Sequence, residues 1–191
     1  MNRSLSPLQP RQALPELALK DINGERIIAP TGRKLLVSLF REASCPFCNI
    51  RVYELTRHHR KLRSLNIDIV AVFQSSEDDV KRFIARQPRP FRSVADPQGA
   101  LHQKLGGQSL LAGKIKAMMF RMIGMFRGMS IVGTAGMKTG NAMPVDILVD
   151  EFGRIETAYY GRDAGDHIPV AQIMAFAIGT TASPVKKASR A

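Results

Sequence analysis

The sequence predicts an α/β fold with a mixed central sheet, helices on both faces of the sheet and an N-terminal β-hairpin. Two short apolar runs, at residues 35–40 and 67–73, have the composition of strands that are buried on both faces, and each precedes a helical pattern. Two further segments near the C-terminus, residues 145–149 and 154–160, flank a turn, as in an antiparallel hairpin. Helices that alternate with buried strands place the sheet between two helical layers.

The N-terminal hairpin is predicted at residues 15–28, where apolar and polar residues alternate around Asn23-Gly24. Asn-Gly is the dipeptide most typical of a two-residue hairpin turn. The buried strand at 35–40 follows and leads directly into a Cys-Pro-Phe-Cys motif at residues 45–48.

A helix is predicted from Pro46 to about residue 65, because proline suits the first helical position and apolar residues recur at helical spacing. The cysteine pair therefore lies at a strand-to-helix junction. Ser76 and Asp79 have the spacing of a capping box, which predicts a second helix that ends before Pro88. The remaining predicted elements are a short strand at 91–94, a helix at 100–105, hairpin strands at 145–149 and 154–160, and a last helix at 169–178.

The chain has 191 residues, 45% of them hydrophobic, which is enough for a globular core. We expect a single domain over residues 14–178, with flexible tails at 1–13 and 180–191. No uncharged apolar run approaches the roughly 20 residues of a membrane-spanning helix, and the N-terminus has no hydrophobic block typical of a secretory signal. A cytoplasmic protein without a transmembrane segment is therefore expected.

The formal net charge is +12. Such a charge suits contact with nucleic acid or an anionic membrane. However, the sequence has no zinc-finger spacing, no basic region with heptads and no interleaving of basic and aromatic residues. Specific nucleic-acid binding is therefore not expected.

Residues 106–143 form an unusual insert that is rich in methionine and glycine. Seven of the nine methionines lie between positions 118 and 143. The spacing predicts an amphipathic helix over residues 110–129, with its methionine face covered by protein, because soluble monomers seldom expose so large an apolar stripe. Its role stays open between packing on its own domain, a homodimer contact, a membrane-surface helix and a lid over Cys45.

The Cys-x-x-Cys spacing indicates redox or metal chemistry. Cys45 at a helix start and Cys48 one turn later are close enough for a disulfide to close. The helix N-terminus and the charges of Arg41 and Arg51 favour the thiolate of Cys45, which is predicted to be the low-pKa, solvent-reachable nucleophile. Cys48 is suited to attack a sulfenic acid or mixed disulfide on Cys45. The competing interpretation is a pair of structural thiols, but burial alone gives no reason for this spacing at a helix start.

A zinc site that includes His58 and His59 is excluded by distance, because thirteen residues of helix place His58 roughly 20 Å from Cys45. His58 is interpreted as a packed or half-buried helix residue and His59 as a solvated neighbour. No metal and no organic cofactor is expected.

Several segments resemble, in order, the peroxiredoxin-like branch of the alkyl hydroperoxide reductase/thiol-specific antioxidant family, which has the thioredoxin fold. They are LALKDINGERI, LLVSLFREASCPFCN, DIVAVFQSSEDDVKRF, ADPQGALHQKLG and MPVDILVDEFGRI, followed by YYGRDAGDHIP. The resemblance covers about residues 14–178. It implies a thioredoxin-like fold, a peroxide-reacting Cys45, and a cis-proline at Pro144 that precedes the third central strand and faces the reactive sulfur.

The chain departs from that family at positions that matter for catalysis. Typical peroxiredoxins have a threonine three residues and a proline seven residues before the reactive cysteine, where this chain has Glu42 and Ser38. The buried aspartate of thioredoxins aligns with Leu39, and the second arginine of peroxiredoxins aligns with Pro144. Another cation must then stabilise the leaving oxygen, and Arg41 is the nearest candidate.

The sequence thus predicts a thiol oxidoreductase that reduces a peroxide through Cys45, forms a disulfide with Cys48 and is reset by a thiol reductant such as the thioredoxin or glutathione system. Peroxidase activity is expected to be slower than in typical peroxiredoxins, because the usual peroxide-orienting groups are missing. Two alternatives stay open: a thioredoxin-like oxidoreductase acting on protein or glutathione disulfides, and a basic binding module whose cysteines have no role. A lowered cysteine pKa would favour the two redox interpretations over the binding module.

Overall fold

The structure is a computed structural model that describes residues 8–29, 32–86, 88–107 and 140–179. The strands in these ranges are β1 Leu17–Lys20, β2 Arg26–Ala29, β3 Lys34–Phe40, β4 Ile67–Phe73, β5 Arg92–Ala95, β6 Val145–Val149 and β7 Ile155–Tyr160. The helices are α1 Pro46–Ser64, α2 Glu77–Asp79, α3 Ala100–Lys104 and α4 Val170–Ala177, and α2 continues into a π-helical turn, Val80–Ile84. Each of the predicted strands and helices in these ranges is present, with ends shifted by a few residues.

The central sheet has five strands in the order β5-β4-β3-β6-β7. Strands β3, β4 and β5 are parallel to one another, β6 pairs antiparallel with β3, and β7 pairs antiparallel with β6. The parallel β3 and β4 are joined through α1, as a parallel pair requires a crossover connection. The prediction of a mixed central sheet is confirmed.

The two faces of this sheet pack into separate apolar clusters, because strand side chains alternate between faces. On one face, α1 contributes Phe47, Val52, Leu55 and Leu62, and α4 contributes Ile173 and Ala177. On the other face, the β1-β2 hairpin contributes Leu17 and Ile27, and Leu105 follows from the end of α3. Helices α1 and α4 therefore cover one face, as predicted, whereas the β1-β2 hairpin and the end of α3 cover the other.

The N-terminal hairpin is present, but its predicted two-residue Asn-Gly turn is wrong. The last pair of the ladder joins Lys20 to Arg26, so the loop has five residues. The buried Asp21 carboxylate accepts the backbone N–H groups of Asn23 and Glu25, both at 2.9 Å, and this carboxylate holds the longer loop in place. Asparagine and aspartate commonly build turns through such side-chain acceptors.

Residues 8–13, which the sequence places in a flexible tail at 1–13, contact the sheet in this structure. Gln12 and Arg11 exchange backbone hydrogen bonds with Ile155, at 2.8 and 2.6 Å. Leu8 is buried and its N–H donates to the Tyr160 hydroxyl at 2.9 Å. This segment therefore extends the edge of the sheet beyond β7.

Most of the methionine-rich insert lies outside the described residues. The predicted helix over residues 110–129, its methionine face and the roles left open for it fall within the range 108–139, and the predicted tail at 180–191 lies outside as well. Among the residues that are described, no helix is long and apolar enough to cross a membrane.

The strand register brings the cysteine motif and Pro144 to the same edge of the sheet. Leu39, near the end of β3, pairs with Val145, the first residue of β6. Because the two strands are antiparallel, the residues that follow β3 run beside the residues that precede β6. The loop leading to Cys45 and the segment around Pro144 are therefore neighbours.

Candidate active site

Cys45 occupies the N-cap position of α1, and Pro46 takes the first helical position. The short loop between β3 and α1 is fixed by side-chain hydrogen bonds to Ala43: its N–H donates to the Ser75 hydroxyl at 2.9 Å, and its carbonyl accepts the Asn49 amide at 2.7 Å. The Cys45 N–H donates to the Glu42 carbonyl at 2.9 Å. The start of α1, and with it Cys45, therefore has a defined position beside the sheet.

Both cysteines are reduced and fully buried, each with 0% of its surface exposed. The prediction that Cys45 is solvent-reachable is therefore wrong in this structure. Cys45 and Cys48 belong to the apolar cluster that includes Ala43 and Phe47. The cavity of about 460 Å³ beside α1 is lined by Phe47 and Arg51 but by neither cysteine. The thiols are thus closed off from the cavity next to them.

A buried guanidinium contacts the Cys45 sulfur. Arg41 Nη1 lies 3.7 Å from Cys45 Sγ, and the Arg41 side chain is only 2% exposed. A positive charge this close to a sulfur in a low-dielectric interior favours the thiolate over the thiol. Arg41, predicted as the nearest cation to the motif, is brought to Cys45.

Several groups together lower the pKa of Cys45 to about 6. The hydrogen bond from the Cys48 thiol has the largest effect. The Arg41 charge and the backbone N–H groups of Cys48 and Phe47 act in the same direction, and burial opposes them. The helix N-terminus supplies these amides because the first N–H groups of a helix have no partner within it. Cys45 is therefore largely a thiolate at neutral pH.

The environment has the opposite effect on Cys48. Burial raises its pKa well above the ordinary value, and the hydrogen bond to Cys45 and the nearby Cys45 charge raise it further. The pair thus consists of a thiolate and a neighbouring protonated thiol. A lowered pKa at Cys45 favours the redox interpretations over a binding module with inert thiols.

Glu42, at the threonine position of typical peroxiredoxins, is directed toward backbone. Its Oε1 accepts the N–H of Gly140 at 2.5 Å. The carbonyl of the same Gly140 accepts a hydrogen bond from Arg41 Nη2. Consecutive residues of the loop before Cys45 therefore hold both polar groups of one glycine. Sequence reasoning did not include Gly140, which lies far from the motif along the chain.

Pro144 is buried directly before β6. Its carbonyl accepts the N–H of Gly161 at 2.9 Å. A Cβ atom at Gly161 would come within 2.7 Å of Pro144 Cγ and within 2.4 Å of the Asp166 carbonyl oxygen, so only glycine fits there. Close packing by Gly161 thus fixes Pro144 at the sheet edge that also carries Arg41.

A second buried charge, not predicted from the sequence, lies on the α1 face of the sheet. Asp146 in β6 accepts the Ile168 N–H at 2.8 Å, the His167 Nδ1–H at 3.0 Å and the Ser38 hydroxyl. Burial opposes ionisation of Asp146, yet the interactions with His167, Arg51 and Ser38 lower its pKa to about 2. A lone carboxylate within an apolar strand was the sequence signal for this network, because a buried charge requires partners.

This network also connects β6 to the helix that carries the cysteines. Arg51 is predominantly buried, and its Nη2 donates to the Ile168 carbonyl at 2.7 Å. Arg51 therefore holds α1 against the loop before α4 and does not contact Cys45 in any hydrogen bond described for it. Ser38, at the proline position of typical peroxiredoxins, serves this network as a donor to Asp146.

The two histidines of α1 are placed opposite to the prediction. His58 is exposed, whereas His59 is half-buried and its ring lies 6.3 Å from that of Phe91. Burial lowers the pKa of His59. Within the described residues, no group of three or more metal-ligating side chains is close enough to hold a metal ion.

The sequence of residues 12–173 matches the Redoxin family. The match covers most of the chain, and the chain therefore belongs to this family. No curated protein matches the chain. Family membership confirms the predicted resemblance and the predicted class, a peroxiredoxin-like thiol oxidoreductase.

Solved structures share the fold at low sequence identity. A thiol:disulfide interchange protein, DsbE, from Chlorobium tepidum has a TM-score of 0.63 at 18% identity, with 90% of this chain and 99% of that chain covered. Peroxidoxin BcpB from Mycobacterium tuberculosis has a TM-score of 0.62 at 10% identity, covering 91% and 96%. AhpC from Mycobacterium bovis has a TM-score of 0.64 at 12% identity, covering 98% and 100%. These similarities confirm the predicted thioredoxin-like fold.

Replacement of Arg41 by methionine tests the electrostatic role of the guanidinium. Methionine fills a similar volume without charge, so we expect Arg41→Met to raise the pKa of Cys45 above about 6. The ultraviolet absorbance of the thiolate, followed against pH, measures this value. Arg57→Met, which removes an exposed charge from the middle of α1, is the control and should leave the titration unchanged. Equal titrations for the wild type and Arg41→Met would contradict the assignment.

Replacement of Asp146 by asparagine tests the buried network. The pKa of Asp146 is lowered from 3.8 to about 2 by folding, so its contribution to stability is present above about pH 4 and is lost as pH falls through about 2. Ionisation of this group contributes about 2 kcal/mol to the free energy of unfolding at neutral pH. We expect Asp146→Asn to lose that contribution, and the difference from the wild type to shrink as pH falls from about 4 to 2.

Denaturant unfolding at a series of pH values measures the difference. Glu151→Gln, at an exposed turn, is the control and should track the wild type. A difference between Asp146→Asn and the wild type that stays constant over the acidic range would contradict the role of the ionised carboxylate.

Proposed function

We propose that this protein reduces peroxides by a dithiol/disulfide cycle in which Cys45 reacts with the peroxide and Cys48 resolves the product. The observation that supports this most directly is the contact of Arg41 Nη1 with the Cys45 sulfur, beside a protonated Cys48 that hydrogen bonds to the same sulfur. These three residues supply a nucleophile, a cation and a resolving thiol. Pro144, at the same sheet edge, is proposed to border the site.

In the first step the Cys45 thiolate attacks one oxygen of the peroxide. A sulfur–oxygen bond forms, the oxygen–oxygen bond breaks, and the product is a sulfenic acid on Cys45. The leaving oxygen carries negative charge as it departs and takes a proton from solvent to become an alcohol or water. The Arg41 guanidinium is positioned to stabilise that charge as well as the thiolate.

In the second step Cys48 attacks the Cys45 sulfur. A disulfide forms, and the sulfenic hydroxyl leaves with the Cys48 proton as water. The hydrogen bond between the two thiols already brings them together, and their positions one helical turn apart suit a disulfide. Two external thiols then reduce the disulfide and are themselves oxidised to a disulfide. A donor of the thioredoxin or glutathione type, and a reducing compartment such as the cytoplasm, suit this chemistry.

Burial favours a small peroxide over a protein disulfide as the oxidant. A protein disulfide must approach the attacking sulfur in line, which requires an exposed thiol, whereas Cys45 has 0% exposure. A small peroxide requires a much smaller opening. The DsbE similarity is one of fold, and disulfide exchange is therefore the second candidate function.

Single substitutions of the two cysteines test the assignment of roles. With stoichiometric hydrogen peroxide, we expect Cys48→Ser to accumulate a sulfenic acid on Cys45, because the resolving thiol is missing. Cys45→Ser should leave Cys48 largely unreacted, since burial holds it protonated. A sulfenic-acid-specific reagent and peptide mass spectrometry detect the product. Equal reactivity of the two variants would contradict the roles.

A paired measurement with one thiol donor separates the two candidate functions. We expect hydrogen peroxide consumption to exceed insulin disulfide reduction, and to be about 100- to 1000-fold slower than in typical peroxiredoxins, because an oriented donor is missing. Peroxide consumption at the typical rate would contradict the argument from the missing threonine. Reduction of insulin without consumption of peroxide would favour disulfide exchange over peroxide reduction as the function.

A further inference from the structure

Gly140 is held at both of its backbone polar groups by the two residues that follow β3. Glu42 Oε1 accepts the Gly140 N–H, and Arg41 Nη2 donates to the Gly140 carbonyl. The other end of the same guanidinium contacts the Cys45 sulfur. A continuous chain of contacts therefore runs from the Glu42 carboxylate, through one glycine, to the reactive thiol.

The rigid shape of the guanidinium couples its contact with Gly140 to its contact with Cys45. Arginine presents its N–H groups in a rigid planar fork, so anchoring Nη2 of Arg41 on the Gly140 carbonyl constrains where Nη1 lies. The Gly140 carbonyl is in turn fixed by the hydrogen bond at its own N–H. A carboxylate at position 42 has the wrong charge to stabilise a thiolate or the leaving oxygen of a peroxide, but it is a strong acceptor for a backbone amide.

We propose that Glu42 is a positioning residue: by holding Gly140, it fixes the carbonyl group that keeps the Arg41 guanidinium against the Cys45 sulfur. This proposal rests on the proposed function only in taking Cys45 as the reacting thiol. It explains why a residue whose charge disfavours the leaving oxygen occupies the loop before Cys45. The carboxylate acts through Arg41, and its charge is directed to the backbone.

Three substitutions test the chain of contacts, two of them at Glu42 and one at Gly140. Glu42→Ala removes the acceptor, whereas Glu42→Gln keeps a side-chain oxygen at the same place without the charge. Gly140→Ala displaces the acceptor, because the added Cβ would lie 2.6 Å from Glu42 Oε1, the flexible end of that side chain. Gly140→Ala thus tests the proposal even if Glu42→Ala fails to fold.

We expect Glu42→Ala and Gly140→Ala to raise the pKa of Cys45, measured by thiolate absorbance, because the Arg41 charge is no longer held at the sulfur. At neutral pH they should slow oxidation of Cys45 by hydrogen peroxide about tenfold, as the thiolate fraction falls. Glu42→Gln should stay close to the wild type in both measurements. In an Arg41→Met background, Glu42→Ala should have no further effect, which a purely structural role would not produce.

Glu151→Ala, which removes a carboxylate from the exposed turn at the opposite end of β6, is the matched control and should match the wild type. A lower pKa of Cys45 in both Glu42→Ala and Glu42→Gln would overturn the proposal, because the carboxylate would then act by its charge. An unchanged pKa in Glu42→Ala and Gly140→Ala would also overturn it. If the pKa shifts as expected but the wild type consumes no peroxide, the positioning role stands and the proposed peroxidase function fails.

Discussion

The buried contact between the Arg41 guanidinium and the Cys45 sulfur is the interaction on which the site depends. A thiolate in the protein interior is costly unless a positive charge and hydrogen-bond donors lie beside it. In this fold the charge comes from the loop after β3, and the donors come from the first turn of α1. The strand-to-helix junction therefore supplies both, and the central position of β3 between β4 and β6 fixes that junction in the sheet.

A second buried charge secures the helix farther along its length. Asp146 is satisfied by donors from β3 and from the loop before α4, and the Ile168 carbonyl of that loop accepts a hydrogen bond from Arg51. α1 is thus held beside the sheet at its start and attached by Arg51 to the loop before α4 about one and a half turns later. Cys48 lies between these attachments, so its approach to the Cys45 sulfur is fixed by the surrounding fold.

The strands, α1 and the placement of the cysteine pair at the strand-to-helix junction could be predicted because apolar period, proline placement and Cys-x-x-Cys spacing are local signals. The predicted two-residue turn of the N-terminal hairpin was wrong, because the Asp21 carboxylate stabilises a longer loop. The partners of Asp146 and Glu42 could not be predicted, since Ser38 is 108 residues from Asp146 and Gly140 is 98 residues from Glu42. Burial of Cys45 is likewise a property of tertiary packing. Contacts between residues so far apart give no periodic pattern that a single sequence could reveal.

Cys45 and Cys48 are proposed to form one redox unit in which Cys45 reacts first. Intact-protein and peptide mass spectrometry of the wild type after stoichiometric hydrogen peroxide tests it most directly. We expect loss of the mass of two hydrogen atoms and a peptide pair joined by a disulfide between Cys45 and Cys48. An unchanged mass, or oxygen added at Cys48 with Cys45 still reduced, would contradict it.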